Sequence, residues 1–117
     1  MVKTRFQYTE WGKRWFFNDV ADRYKFAMYI YNDDPDKIYL SNVFVKPEYR
    51  RYGLGNSILS DAENVAKENN ASEIILKVLK DTFVHDWYSR HGYKDYCIEP
   101  ESEYVWMRKV LNTQECI

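Results

Sequence analysis

Cysteine is scarce in this sequence, and its placement closes several routes. Cys97 and Cys116 are far apart and lack metal-ligand spacing, so neither a disulfide framework nor a cysteine zinc site is the simplest reading. Two free thiols in a reducing compartment are expected. Cys116 stands second from the end in Gln-Glu-Cys-Ile, the wrong place for a prenylation box. Long apolar runs are also missing: none approaches the roughly 18 residues of a membrane span, and the segment MVKTRFQYTEW lacks a signal core. A cytoplasmic address is expected from that pattern, with no membrane partner. Charge of one sign does not dominate either. A net charge of −1 supplies no global field to gather nucleic acid or an anionic membrane. Repeats, low-complexity tracts and linkers are absent from the pattern.

Aromatic residues are what the sequence has in excess. Eleven Tyr, six Phe and four Trp make up 18% of 117 residues, which suits strands and broad binding surfaces because Tyr buries a ring and keeps a polar tip. The length fits one domain, 1–117, able to bury a core without staples.

Local patterns place the elements. Residues 2–9 and 24–32 read as strands, the second with an aromatic-rich alternation, Tyr24-Lys-Phe-Ala-Met-Tyr-Ile-Tyr31. Residues 10–23 are ambiguous: Trp11, Trp15 and Val20 could mark a helix face, whereas Arg14-Trp-Phe-Phe17 suits a short strand, the reading preferred here. Ile38–Val45 is a strand whose alternation changes phase between Leu40 and Val43, through a bulge or through burial on both faces. Leu54, Ile58, Leu59, Ala62, Val65 and Ala66 recur at helical spacing, and Asn69-Asn70 offers a left-handed stop. Ser72–Leu79 is a strand. Asp81 or Thr82 can cap a second helix that ends at Gly92. Tyr93–Glu99 and Tyr104–Val110 are two further strands. The sum is a mixed sheet with helices packed on it.

The turn between the fourth strand and the first helix carries the clearest chemistry. Asn42-Val-Phe-Val-Lys-Pro-Glu-Tyr-Arg-Arg-Tyr-Gly-Leu-Gly-Asn56 leaves a strand through a proline and enters a helix across Arg50-x-x-Gly53-x-Gly55. Backbone N–H groups at a positive helix end, with little side-chain obstruction, suit a pyrophosphate.

Together with Leu76-x-Val78 and Trp87-Tyr88-Ser-Arg-His-Gly92-Tyr93, this stretch resembles the GNAT superfamily of acyl-CoA-dependent N-acyltransferases. Tyr88 follows Gly55 by 33 positions, the spacing between the family's Arg/Gln-x-x-Gly-x-Gly/Ala loop and its aromatic-Tyr-x-x-x-Gly-aromatic segment. The likeness covers about residues 24–111. It implies a GNAT-like, mixed and mostly antiparallel sheet with helices on its faces, and an acyl-CoA-binding core over 37–111. The implied activity is transfer of acetyl from acetyl-CoA to an amine by direct attack. On this likeness Arg50, Arg51, Tyr52, Gly53, Leu54, Gly55 and Asn56 hold the pyrophosphate. Val43, Phe44 and Val45 pair with pantetheine and stabilise the thioester oxygen. Tyr88 is the general acid toward the leaving thiolate. In water, a phenol near 10 protonating a thiolate near 8.5 is uphill by about 2 kcal/mol, so the site must narrow that gap or use Tyr88 as a hydrogen-bond donor.

The sequence departs from the family in three places. Tyr39 stands where many relatives carry a carboxylate, and Asp81 where an Asn often precedes the Tyr-bearing helix. The 37 residues before Ile38 have room for at most one of the two helices that usually line the acceptor side. The front end, 1–36, therefore reads as truncated or divergent, and a homodimer could complete the acceptor site. Other readings stay open. Tyr88 could be a core aromatic, Asp81 a helix cap, and His85 either a proton relay or, preferably, a solvated surface residue. His91 would complement a helix C-terminus. Arg50 would be a loop charge or a 3′-phosphate partner. The whole could be an acyl-CoA-binding or protein-interaction module without turnover. An RNA-binding module built on Lys46–Tyr52 is the remaining alternative.

Overall fold

The computed structural model describes residues 2–50 and 52–111. Seven strands, β1 (Val2–Tyr8), β2 (Gly12–Asp19), β3 (Tyr24–Tyr31), β4 (Lys37–Val45), β5 (Glu73–Leu79), β6 (Lys94–Ile98) and β7 (Tyr104–Val110), join two helices, α1 (Leu54–Glu68) and α2 (Phe83–Arg90). One sheet holds all seven in the order β1-β2-β3-β4-β5-β7-β6. Every neighbouring pair is antiparallel except β4 with β5. Residues 12–19 are thus a strand, as preferred. No helix lies between β1 and β2; Thr9 closes that turn by accepting the Gly12 N–H at 3.0 Å.

Alternation on β3 separates the two faces of the sheet. Tyr24, Phe26, Met28 and Ile30 share one core cluster with Leu76 and Val78 of β5, with Leu54, Ile58 and Leu59 of α1, and with Tyr88 of α2. Both helices therefore pack on the same face. Burying Leu54, Ile58 and Leu59 contributes roughly 5–9 kcal/mol at 1.5–3 kcal/mol per large aliphatic side chain. Asn70, at φ 60°, ends the first helical segment in the left-handed conformation. The opposite face presents Lys25, Ala27, Tyr29 and Tyr31 from β3, and none of these belongs to the core cluster.

The phase change in β4 is a bulge. Ala27 pairs with Ser41 and Lys25 with Phe44, so Phe26 faces two residues, Asn42 and Val43. Asn42 takes φ 53° to accommodate it. Beyond the bulge the strand has a new direction, and this positions the site. No helix among the described residues is long and apolar enough to cross a membrane.

Candidate active site

Pairing between β4 and β5 stops early. Lys37, Ile38 and Tyr39 pair with Glu73, Ile74 and Ile75, and no further pair follows. From Leu40 to Val45 and from Leu76 to Leu79 the two parallel strands separate, leaving a backbone edge of each without a strand partner. A cleft of this kind offers main-chain hydrogen bonds to an extended guest. Val43, in the bulge, and Phe44, just past it, are exposed, while Val45 packs against the core.

Below the cleft the chain turns through Pro47–Tyr49 into α1. Gly53, at φ 74°, is the N-cap of that helix, in a left-handed conformation that a side chain strains. A Cβ added there would meet no atom within 4 Å. The turn is closed locally: the Arg50, Tyr52 and Asn56 amides donate to Pro47, Tyr49 and Gly53 carbonyls at 3.4, 3.3 and 3.1 Å. Arg50 also uses its Nε on the Val45 carbonyl at 2.9 Å, which ties the turn to the end of β4. Tyr52 is 72% exposed, whereas Leu54 is in the core. Arg51 and Cys116 lie outside the described residues.

Helix α2 is docked against both α1 and β5. Gly55 touches Trp87 so closely that a Cβ would stand 2.7 Å from Trp87 Cζ2. His91 links the same two helices: its Nδ1 lies 2.8 Å from the Trp87 carbonyl and its Nε2 2.9 Å from Asn56 Oδ1. The carbonyl can only accept, so Nδ1 carries the proton, and Nε2 then accepts from Asn56 with the amide turned to present its NH2 group. The expected helix-end role of His91 is therefore present, together with a bond to α1 that the sequence did not announce. Only the i−4 spacing of Trp87 pointed to any of it.

Tyr88 sits between Trp87 and Tyr93, in edge contacts at 5.0 and 5.4 Å, and is 6% exposed. Burial alone pushes its phenol up to about 12. Tyr88 is thus a core aromatic by packing, beside the strand that forms one wall of the cleft.

A family model for the acetyltransferase (GNAT) family matches residues 13–93. The chain belongs to that family. A curated relative, thialysine N-epsilon-acetyltransferase of Bos taurus, is 40% identical over 53 residues, which make up 45% of this chain and 28% of the relative. The match to this chain thus spans less than a third of that relative's length. Among solved structures, the PaiA N-acetyltransferase of Thermoplasma acidophilum in complex with coenzyme A superposes with a TM-score of 0.71 at 24% identity, covering 82% of this chain and 60% of that one. A GNAT family acetyltransferase of Elizabethkingia anophelis with acetyl-CoA bound gives 0.68 at 13% identity, covering 86% and 76%. At these identities the likeness is one of fold.

This GNAT chain corrects two readings around α2. The N-cap is Thr82, whose Oγ1 accepts the His85 N–H at 3.2 Å; Asp81 precedes it at φ 58°. His85 is not a solvated residue. Its Nδ1 accepts the Asp81 N–H at 3.1 Å, so Nε2 carries the proton and donates to Asp95 at 2.8 Å. Both ring nitrogens are committed, which leaves neither for a relay to Tyr88. Fixing the Asp81 turn requires a tertiary contact with β6, and no local pattern announces that.

Tyr39 is stacked on Tyr29 at 5.3 Å and 7°, and burial raises its phenol above the ordinary value. It cannot replace a carboxylate base near neutral pH. The two rings belong to a larger array: Trp11 contacts Tyr29 and Tyr31, and Tyr39 meets Trp106 edge-on at 6.2 Å.

Proposed function

We propose that the protein is an N-acetyltransferase that moves an acetyl group from acetyl-CoA to an amine. The observation that carries this reading is the parting of β4 and β5 after Tyr39 and Ile75, above a helix headed by Gly53 and beside Tyr88. Acetyl-CoA supplies the activated acyl group. Within the 50–56 turn, the amides of Gly53, Leu54 and Gly55 at the head of α1 hold the pyrophosphate together with the positive helix end, since those of Arg50, Tyr52 and Asn56 serve carbonyls of the turn. The β5-facing edge of Val43, Phe44 and Val45, which has no strand partner, binds pantetheine as an added strand, and an N–H near the bulge stabilises the oxygen on which charge develops. Tyr88 presents a neutral hydroxyl to the departing sulfur. The matched mammalian relative is named for acetylating an ε-amine, which supports a primary amine as acceptor.

Titration with acetyl-CoA, followed by thermal unfolding, tests the first half. At a hundred times Kd the native state gains about 2.7 kcal/mol, a shift of several degrees. Thiol release with a panel of primary amines tests the second half. No stabilisation at millimolar acetyl-CoA would remove the reading. Stabilisation without transfer to any amine would instead favour an acyl-CoA-binding module, the reading that the missing carboxylate at Tyr39 supports.

A further inference from the structure

The sheet face opposite the helices has a charge that the whole chain does not. Arg5 lies over Phe16 at 4.7 Å, Arg14 over the same ring at 5.2 Å, and Lys25 over Phe44 at 5.9 Å. Register places all three on that face: Arg5 pairs with Phe16, Arg14 with Tyr29, and Lys25 with Phe44. None of them makes an ion pair with a described residue. Two depressions on this face, of about 480 and 200 Å³, share Phe16, Ala27 and Asn42, forming one groove across β2, β3 and β4. The groove runs over the β4 bulge, and no lining residue is acidic.

We propose that this groove takes the acceptor as an acidic polypeptide segment, whose free amine reaches the bulge at Asn42 while Arg5, Arg14 and Lys25 hold its Asp and Glu side chains. The proposal rests on the acetyltransferase reading above. Charge complementarity selects the occupant. A polyamine brings only cations to a groove lined by Arg14 and Lys25, with Arg5 over its Phe16 wall. A second copy of this chain, meeting the same face, would oppose like charges. Nucleic acid matches the charge, but its base amines are conjugated and poorly nucleophilic, so it would bind without accepting acetyl. Transfer forms the amide C–N bond, breaks the thioester C–S bond and passes one amine proton to the leaving thiolate, so no further co-reactant is needed.

The test uses three peptides of equal length with one free amine, flanked by Asp/Glu, by Ser/Gly or by Arg, each in an α-amine and a lysine form. Acetylation is followed by mass spectrometry with the full chain and acetyl-CoA. The acidic peptide should lead in kcat/KM by about tenfold or more at low salt, and about 0.5 M salt should erase most of that lead. Arg5→Glu and Lys25→Glu, both on the exposed face, should reverse the order while acetyl-CoA affinity stays that of the wild type. Equal rates on all three peptides, or preference for spermidine, would overturn the proposal and leave the acetyltransferase reading standing. Absence of acetyl-CoA binding would remove both. Tighter binding of an oligothymidine than of the acidic peptide would also overturn the proposal.

Discussion

Replacing Tyr88 by Phe removes one hydroxyl from a ring packed between Trp87 and Tyr93 and leaves the ring contacts in place. With the phenol near 12 and an ordinary thiol near 8.5, complete transfer of the Tyr88 proton is uphill by about 5 kcal/mol. On the proposed reading, Tyr88 acts by donating a hydrogen bond to the developing thiolate. A bond of that kind to a charged group contributes roughly 1.5–3 kcal/mol, or about 10- to 150-fold in rate. Tyr88→Phe should lower kcat by that factor, with the acetyl-CoA dissociation constant changed by less than about threefold. Steady-state thiol release and calorimetric titration separate the two quantities. The same phenol gives a signature independent of activity. Its pKa is about 10 unfolded and about 12 folded, so the unfolded state loses its proton first, and stability falls as pH rises from 10 to 12. The fall attributable to Tyr88 is about 3 kcal/mol, and burial of Tyr93, likewise raised, adds to it. Urea midpoints for Tyr88→Phe should match the wild type near pH 7 and drop less by pH 12. Unchanged kcat, or a loss of cofactor affinity as large as the loss of rate, would refute the donor role. An identical alkaline drop would refute the assignment of that drop to burial of Tyr88.

Two further perturbations probe the scaffold. Gly55→Ala puts a methyl group 2.7 Å from Trp87 and should cost about 1–3 kcal/mol by urea unfolding; Trp87→Leu in the same chain should recover part of it, with a coupling above about 0.5 kcal/mol. Asp19, 1% exposed, accepts both a side-chain and a main-chain bond from Arg23, and its carboxyl is held at about 2. The stabilisation is present above the ordinary carboxylate range and lost as pH falls toward 2, so Asp19→Asn should be less stable than wild type near neutrality and converge with it in acid. A constant difference from pH 2 to 7 would show that shape, not charge, holds the Asp19–Arg23 turn.

Local information specified much of this protein. Alternation over Tyr24–Tyr31, helical spacing from Leu54 to Ala66 and the Asn69-Asn70 stop each depend on near neighbours in the chain, so they were legible without a structure. The phase change at Leu40–Val43 was legible too, because a bulge shifts side-chain parity within its own strand. Arg50-x-x-Gly53-x-Gly55, Leu76-x-Val78 and the Trp87–Tyr93 segment announced the family through residue type, order and spacing. Tertiary structure decided what those parts face. Trp87 against Gly55 and His91 against Asn56 join residues more than thirty positions apart. The end of β4–β5 pairing after Tyr39 depends on two strands with a helix between them. Arg5, Arg14 and Lys25 stand far from one another along the chain and become a basic face only when three strands align. A net charge of −1 concealed that face, because a total is blind to position and cross-strand register sets where each side chain points.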